Sequence, residues 1–175
     1  IPESITSIGD RAFYECRLAL INYKGNLNQW LKFEHCNSDL VIANGGELFI
    51  SGEKIENEVV IPESVTHIGS GAFYRCDGLT RIAIPDSVTT IGNSAFAYCS
   101  GLTNITIPDS VTTIENSAFA YCDSLTNITI PKGVTNISEY IFSNCGNLVS
   151  IKLSEETISI GSYAFYSCSS LIDIT

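Results

Sequence analysis

The chain predicts a solenoid, a β-rich α/β coil of 23-residue turns, on three observations. Cysteine recurs at 76, 99, 122, 145 and 168, phenylalanine at 73, 96, 119, 142 and 165, and leucine at 79, 102, 125, 148 and 171, always 23 residues apart. Inside one unit the apolar spacing changes from that of a strand to that of a helical turn. One unit alone buries too few apolar side chains to offset the entropy of ordering its backbone, so neighbouring copies must stack.

Each element follows from the residues. In the unit "CSGLTNITIPDSVTTIENSAFAYC", Ile105 and Ile107 alternate with Asn104 and Thr106, which predicts a strand with one buried face. Pro108 lacks an amide donor and fixes φ, so it ends or turns that strand. Val111 and Ile114 continue as a second short extended stretch, and Ala118, Phe119 and Cys122 have the spacing of one helical turn. Proline keeps the same step at 62, 85, 108 and 131, giving way to Ser154 in the last copy. Glycine at 9, 69, 92 and 161 is replaced by Glu115 and Ser138 in sister copies, so close approach of neighbouring coils is expected there rather than an unusual φ.

An earlier copy, "IPESITSIGDRAFYEC", opens the chain, but its offset from the matching stretch at 61–76 is 60 residues, out of phase with the repeat. One domain over 1–175 is therefore expected in three parts: a first repeat at 1–21, an interruption at 22–60, and regular repeats at 61–175. In the interruption, Leu18–Tyr23 carries the first unit's strand into it, and "GNLNQWLKF" predicts a helix capped by Asn26 with Leu27, Trp30 and Leu31 on one face. Ser51-Gly52-Glu53 predicts a hairpin whose second arm re-enters the repeat at Val59 and Ile61.

The stretch "LTNITIPDSVTTIENSAFAYC" resembles the BspA-like, Treponema pallidum type of leucine-rich repeat, and the resemblance covers 1–21 and about 59–175. It implies a right-handed horseshoe with a concave parallel sheet. It also implies a bacterial cell-surface or secreted protein, extracellular in location, with a role in adhesion to other cells or host proteins. The interruption's Tyr23-x-Gly25-x-Leu27-x-x-Trp30 resembles one found in bacterial members of the same family.

Composition narrows the function. Nineteen acids against nine bases give a net charge of −10. Residues 1–63 hold ten acids and five bases, and 64–175 hold nine and four, so each part carries −5. Such a surface repels phosphate backbones and anionic membranes, which argues against nucleic-acid binding. No apolar run is long enough for membrane insertion. With no methionine and an opening inside a repeat, the chain reads as a piece of a longer protein. A monomer is expected.

Three readings compete for the cysteines: disulfides, metal, or buried thiols. The Cβ vectors of a ladder run parallel, which disfavours bridges between equivalent positions. There is no C-x-x-C, and the two histidines are His35 and His67, so no metal site is expected. Inert thiols filling a small apolar site are the expectation, with Cys36, outside the ladder, the exception to watch. Nothing pairs a nucleophile with a base, and no phosphate-binding or metalloprotease motif occurs; no catalytic residue, no enzyme and no cofactor is expected. The sequons at Asn104, Asn127 and Asn136 fall in repeat positions and carry no expectation.

Binding remains. The outward strand positions Arg81, Asn104, Thr106, Asn127, Thr129, Lys152 and Asp173, with Ala83, Ser150 and Thr175 beside them, form a polar stripe suited to a protein or glycan ligand, host-derived ones included. The alternative is a passive spacer that presents other domains of a larger surface protein.

Overall fold

The structure is a computed structural model; it describes residues 1–8, 13, 16, 18–35 and 42–175, with 34, 35 and 42–46 described by their backbone. Gly9 and Cys36 lie outside the described residues. The chain winds as a right-handed coil of about six turns of ~23 residues, with little helix.

Each regular turn contributes one strand to each of two faces. On the first face, Asn57–Val60, Leu79–Ala83 and Asn104–Thr106 form one parallel ladder, and Asn127–Thr129, Ser150–Lys152 and Asp173–Ile174 form another. On the second face, His67–Ile68, Thr90–Ile91 and Thr113–Ile114 pair in parallel, as do Asn136–Ile137 and Ser159–Ile160. Between the faces the proline does what its chemistry dictates. It gives no donor to the ladder, and its carbonyl accepts the amide three residues on: Val88 N donates to Pro85 O at 3.1 Å, Val111 N to Pro108 O at 3.0 Å and Val134 N to Pro131 O at 3.0 Å. Ser154 closes the same turn with Thr157 N at 3.0 Å.

The third side corrects an expectation. The A-F-x-x-C segment is not a helical turn. Amides alternate in purpose there: Ala95, Ala97 and Cys99 donate three residues back within their own turn, while Ser94, Phe96 and Tyr98 donate to Asn116, Ala118 and Ala120 of the next turn, at 2.8–2.9 Å. A helix would direct every amide along its own axis and leave none for the neighbour. The alternation is made by left-handed residues at fixed positions: Arg75, Tyr98, Tyr121, Asn144 and Ser167 at φ 57–62°, and Gly71, Ser94, Ser117, Tyr140 and Tyr163 four residues before them. Among the described residues, an α/β description therefore holds only for the one helix Leu27–Leu31.

Inside, equivalent side chains pile into columns. Phe73, Phe96, Phe119 and Phe142 are all fully buried. With Phe165 they form a stack with centroids 5.4–6.0 Å apart and planes within 9° of parallel. The thiols stand next to this stack. Cys99, Cys122, Cys145 and Cys168 each direct Sγ at the phenylalanine carbonyl of the preceding turn, at 3.0–3.2 Å. Every described cysteine is a free thiol. The ladder position thus needs a small apolar group that can also donate weakly, which is a description of cysteine.

The glycine position is one of close approach. A Cβ at Gly92 would meet Ser70 N at 2.7 Å and Ile68 O at 2.9 Å, and one at Gly69 would meet Phe33 O at 2.3 Å. Where a side chain does occur, it finds a partner: Glu115 Oε2 accepts from Asn93 N, and Ser138 Oγ donates to Ile114 O. Gly92→Val is expected to destabilise the protein by about 1–3 kcal/mol, because backbone rather than a movable side chain blocks the new atoms. An unchanged urea midpoint would show that adjacent turns can spread there.

In the interruption, Asn26 Oδ1 accepts from Gln29 N and Gln29 Oε1 from Asn26 N, both at 2.9 Å, a capping box on Leu27–Leu31. Trp30 and Leu31 face inward, and Trp30 Nε1 donates to Ala72 O at 2.7 Å, so this indole is core rather than a ligand platform. The strand Ile42–Ile50 runs parallel to Leu18–Tyr23 and antiparallel to Glu53–Lys54. The turn between the antiparallel strands has positive φ at both Ser51 (53°) and Gly52 (86°). The arm that re-enters the repeat is a separate strand, Asn57–Val60, because Asn57 at φ 57° breaks the run first.

Candidate functional site

The parallel register of the first face lines up the stripe that the sequence singled out. One column runs Glu58, Arg81, Asn104 in one ladder and Asn127, Ser150, Asp173 in the other; the second column runs Val60, Ala83, Thr106 and then Thr129, Lys152. Buried isoleucines between the columns (Ile82, Ile105, Ile128 and Ile151) hold the strands down and turn their neighbours outward. Arg81, Asn104, Thr106, Asn127, Thr129, Lys152 and Asp173 are all exposed and Ser150 is half-buried. Thr175 follows the last strand and is also exposed.

The stripe is electrostatically quiet. Arg81 Nε sits 3.6 Å from Glu58 Oε1, with both side chains more than half exposed, a pairing of little strength. Glu58 was missed in the sequence reading; the signal was present, since it lies one 23-residue step before Arg81. Towards the other end Lys152 and Asp173 again bring opposite signs, and amides and hydroxyls fill the middle. Ser150 Oγ donates to Asn127 Oδ1 at 2.7 Å, and Asn127 Nδ2 donates to Thr126 Oγ1 at 3.0 Å. No hydrogen bond holds the Asn104 side chain among the described residues. A shallow depression of about 200 Å³ opens beside it, lined by Arg81, Ile82, Ala83, Ile84, Asn104 and Thr106.

The sequence reading also missed the aromatic ledge on the turn side, although tyrosine repeats there at 98 and 121. Tyr98 and Tyr121 stack at 4.2 Å, and the Arg75 guanidinium lies 4.5 Å over the Tyr98 ring. Burial raises the Tyr98 phenol to about 12, with Tyr74 and Tyr121 adding to the effect. The ring faces of Tyr98 are thus taken by its own neighbours, which makes this ledge a cover for the turns.

Among the described residues no three His, Cys, Asp or Glu groups come together as metal ligands, and no helix is long and apolar enough to cross a membrane. The sequons Asn104, Asn127 and Asn136 all sit on strands.

A family model of the BspA type leucine rich repeat region, in six copies, matches residues 1–43 and 45–175. Among solved structures, a leucine-rich repeat protein of Treponema pallidum is 35% identical with a TM-score of 0.66, over 68% of this chain and 58% of that one. A leucine-rich cell surface protein of Faecalibacterium prausnitzii is 31% identical with a TM-score of 0.54, over 98% of this chain and 42% of the other. A leucine-rich repeat protein of Bacteroides ovatus is 25% identical with a TM-score of 0.56, over 99% and 53%. The chain spans about half the length of these solved relatives. No curated protein matches. These relatives are repeat proteins, and no enzyme family is indicated. With the repeat matched almost end to end, the chain belongs to the BspA-type leucine-rich-repeat family.

Proposed function

We propose that the chain is a non-catalytic recognition module of an extracellular or cell-surface protein, monomeric, and that the first sheet face is where it binds. The observation that carries this reading is the register. Arg81, Asn104, Thr106, Asn127, Thr129, Lys152 and Asp173 stand outward in two columns whose strands repeat about every 4.8 Å, a ruled surface of donors and acceptors. A near-neutral stripe on a chain of charge −10 favours a ligand rich in amides and hydroxyls, a protein surface or a glycan, over a strongly charged one. The description of the Faecalibacterium relative as a cell surface protein supports the location, and a role in adhesion, host proteins included, extends it.

A panel of extracellular-matrix proteins and a glycan array probed with the chain test the proposal. A ligand so captured is expected to be lost at least tenfold on replacing Arg81, Asn104 and Lys152 together by alanine, with the unfolding midpoint unchanged. The spacer reading is favoured by one observation: Asn127 and Ser150, and likewise Asn136 and Ser159, already satisfy each other at 2.7 Å. Retained capture by the triple variant would support the spacer instead.

A further inference from the structure

The regular turns are not bonded to one another equally. Turns 79–101 and 102–124 share a parallel ladder on both sheet faces, and so do turns 125–147 and 148–170. The boundary between 102–124 and 125–147 differs. Among the described residues, Asn104–Thr106 does not pair with Asn127–Thr129, nor Thr113–Ile114 with Asn136–Ile137. Equivalent amides show the contrast. Thr103 N donates to Thr80 O at 3.2 Å and Thr112 N to Thr89 O at 2.9 Å, whereas Thr126 N and Thr135 N make no such bond to the turn before them among the described residues. The hydroxyls follow suit: Thr103 Oγ1 and Thr89 Oγ1 reach back to Thr80 O and Thr66 O, while Thr126 Oγ1 and Thr135 Oγ1 accept from their own neighbours Asn127 and Asn136.

Two residue choices account for the break. Ser138 occupies the tight glycine position, where a Cβ at Gly92 or Gly161 would stand 2.7–2.9 Å from the preceding turn's backbone. Glu115 carries a Cβ there and still donates its amide to Ile91 O at 2.9 Å. Serine adds a short hydroxyl that competes with its own amide, and Ser138 Oγ is the group that donates to Ile114 O. The second choice is Gly133. Ser87 Oγ and Ser110 Oγ each donate to a valine carbonyl of the turn before, at 2.7 and 2.8 Å, and glycine at the equivalent position has no hydroxyl to do so.

On the turn side the same boundary is closed. Ser117, Phe119 and Tyr121 donate their amides to Glu139, Ile141 and Ser143 at 2.8–3.0 Å, Cys145 Sγ donates to Phe119 O, and the rings of Phe119 and Phe142 stack at 5.6 Å. The two turns are thus bound along one side and unlaced along the other two.

We propose that this boundary is a hinge: the turn side is its spine, and both sheet faces open and close about it while the ladders keep each half rigid. The hinge divides the first face, with Arg81, Asn104 and Thr106 on one half and Asn127, Thr129 and Lys152 on the other. A ligand that touches both halves sets the angle between them, so the face adjusts its curvature to what it holds. That use rests on the reading of the first face as the binding surface; the hinge itself does not.

Hydrogen exchange followed amide by amide in the free native protein tests it. Thr126 and Thr135 are expected to exchange at least tenfold faster than Thr103 and Thr112. Ser138→Gly is expected to slow both about tenfold, including Thr126 on the opposite face, because the boundary opens as one unit. Gly133→Ser, which restores the other link, is expected to act in the same direction and serves if the first variant folds poorly. Exchange at Thr126 and Thr135 as slow as at Thr103 and Thr112, or a slowing confined to Thr135, would overturn the proposal. No ligand enters this measurement, so its failure is separate from failure of the sheet face to bind.

Discussion

The unfolding free energy is expected to fall steeply as the pH rises past about 8.5, by about 1.4 kcal/mol per pH unit for each buried thiol and about 5.5 per unit for the four of Cys76, Cys99, Cys122 and Cys145 together. Burial holds all four thiols up, Cys145 to about 12, and neighbouring thiols in the ladder push Cys99 further. In the unfolded chain a thiol loses its proton near pH 8.5, whereas the folded protein keeps it. Above that pH the unfolded state therefore binds fewer protons than the native state, and stability drops with each further unit. Below it both states are protonated and the contribution is constant. For Cys145 the loss continues to about pH 12, where the native thiol also ionises. Urea midpoints in reducing buffer between pH ~7.5 and ~10 measure this, and Cys122→Ala should remove about 1.4 kcal/mol per unit from the slope. Midpoints that stay level across that range would mean the thiols ionise in the folded protein and are not enclosed.

Phe119→Ala carries the largest expected cost of a single truncation, about 3–5 kcal/mol. The ring is fully buried and lies between Phe96 at 5.4 Å and Phe142 at 5.6 Å, so its removal leaves a cavity and ends two stacked pairs. Because each turn touches only its neighbours, the damage should also divide the coil into halves that melt apart, lowering the apparent m-value. Phe165→Ala, at a half-buried ring with one stacked neighbour at 6.0 Å, should cost less than half as much. Equal losses at the two positions, read from urea unfolding, would contradict a column whose members depend on both sides.

The period made the columns legible, and with them the stripe. Once Ile105 and Ile128 are known to be equivalent, Asn104 over Arg81 and Lys152 beside Thr129 follow from arithmetic. The tight glycine at 92 was readable too, because glutamate at the sister position argued against positive φ. The turn side was not. An i, i+3, i+4 apolar spacing is shared by a helical turn and by this alternating backbone, and positive φ falls on Ser94, Tyr98, Ser117 and Tyr121, with glycine at only one of the equivalent positions, Gly71. The thiol's partner was hidden for another reason: a backbone carbonyl of the previous turn leaves no mark in composition. Glu3, Tyr23 and Phe33 meet only because the interruption folds back on the first coil, a contact that no repeat pattern encodes.

The alternation of amides on the turn side also fixes how the coil answers a pull. Ser94, Phe96 and Tyr98 are tied to the next turn by bonds that run along the coil axis, as Ser117, Phe119 and Tyr121 are to the turn after. Tension applied end to end therefore loads one boundary at a time rather than the whole molecule in shear. Each turn that peels away frees roughly 75 Å of extended chain and leaves its neighbour intact. Stretching is therefore expected to proceed in steps of one turn each.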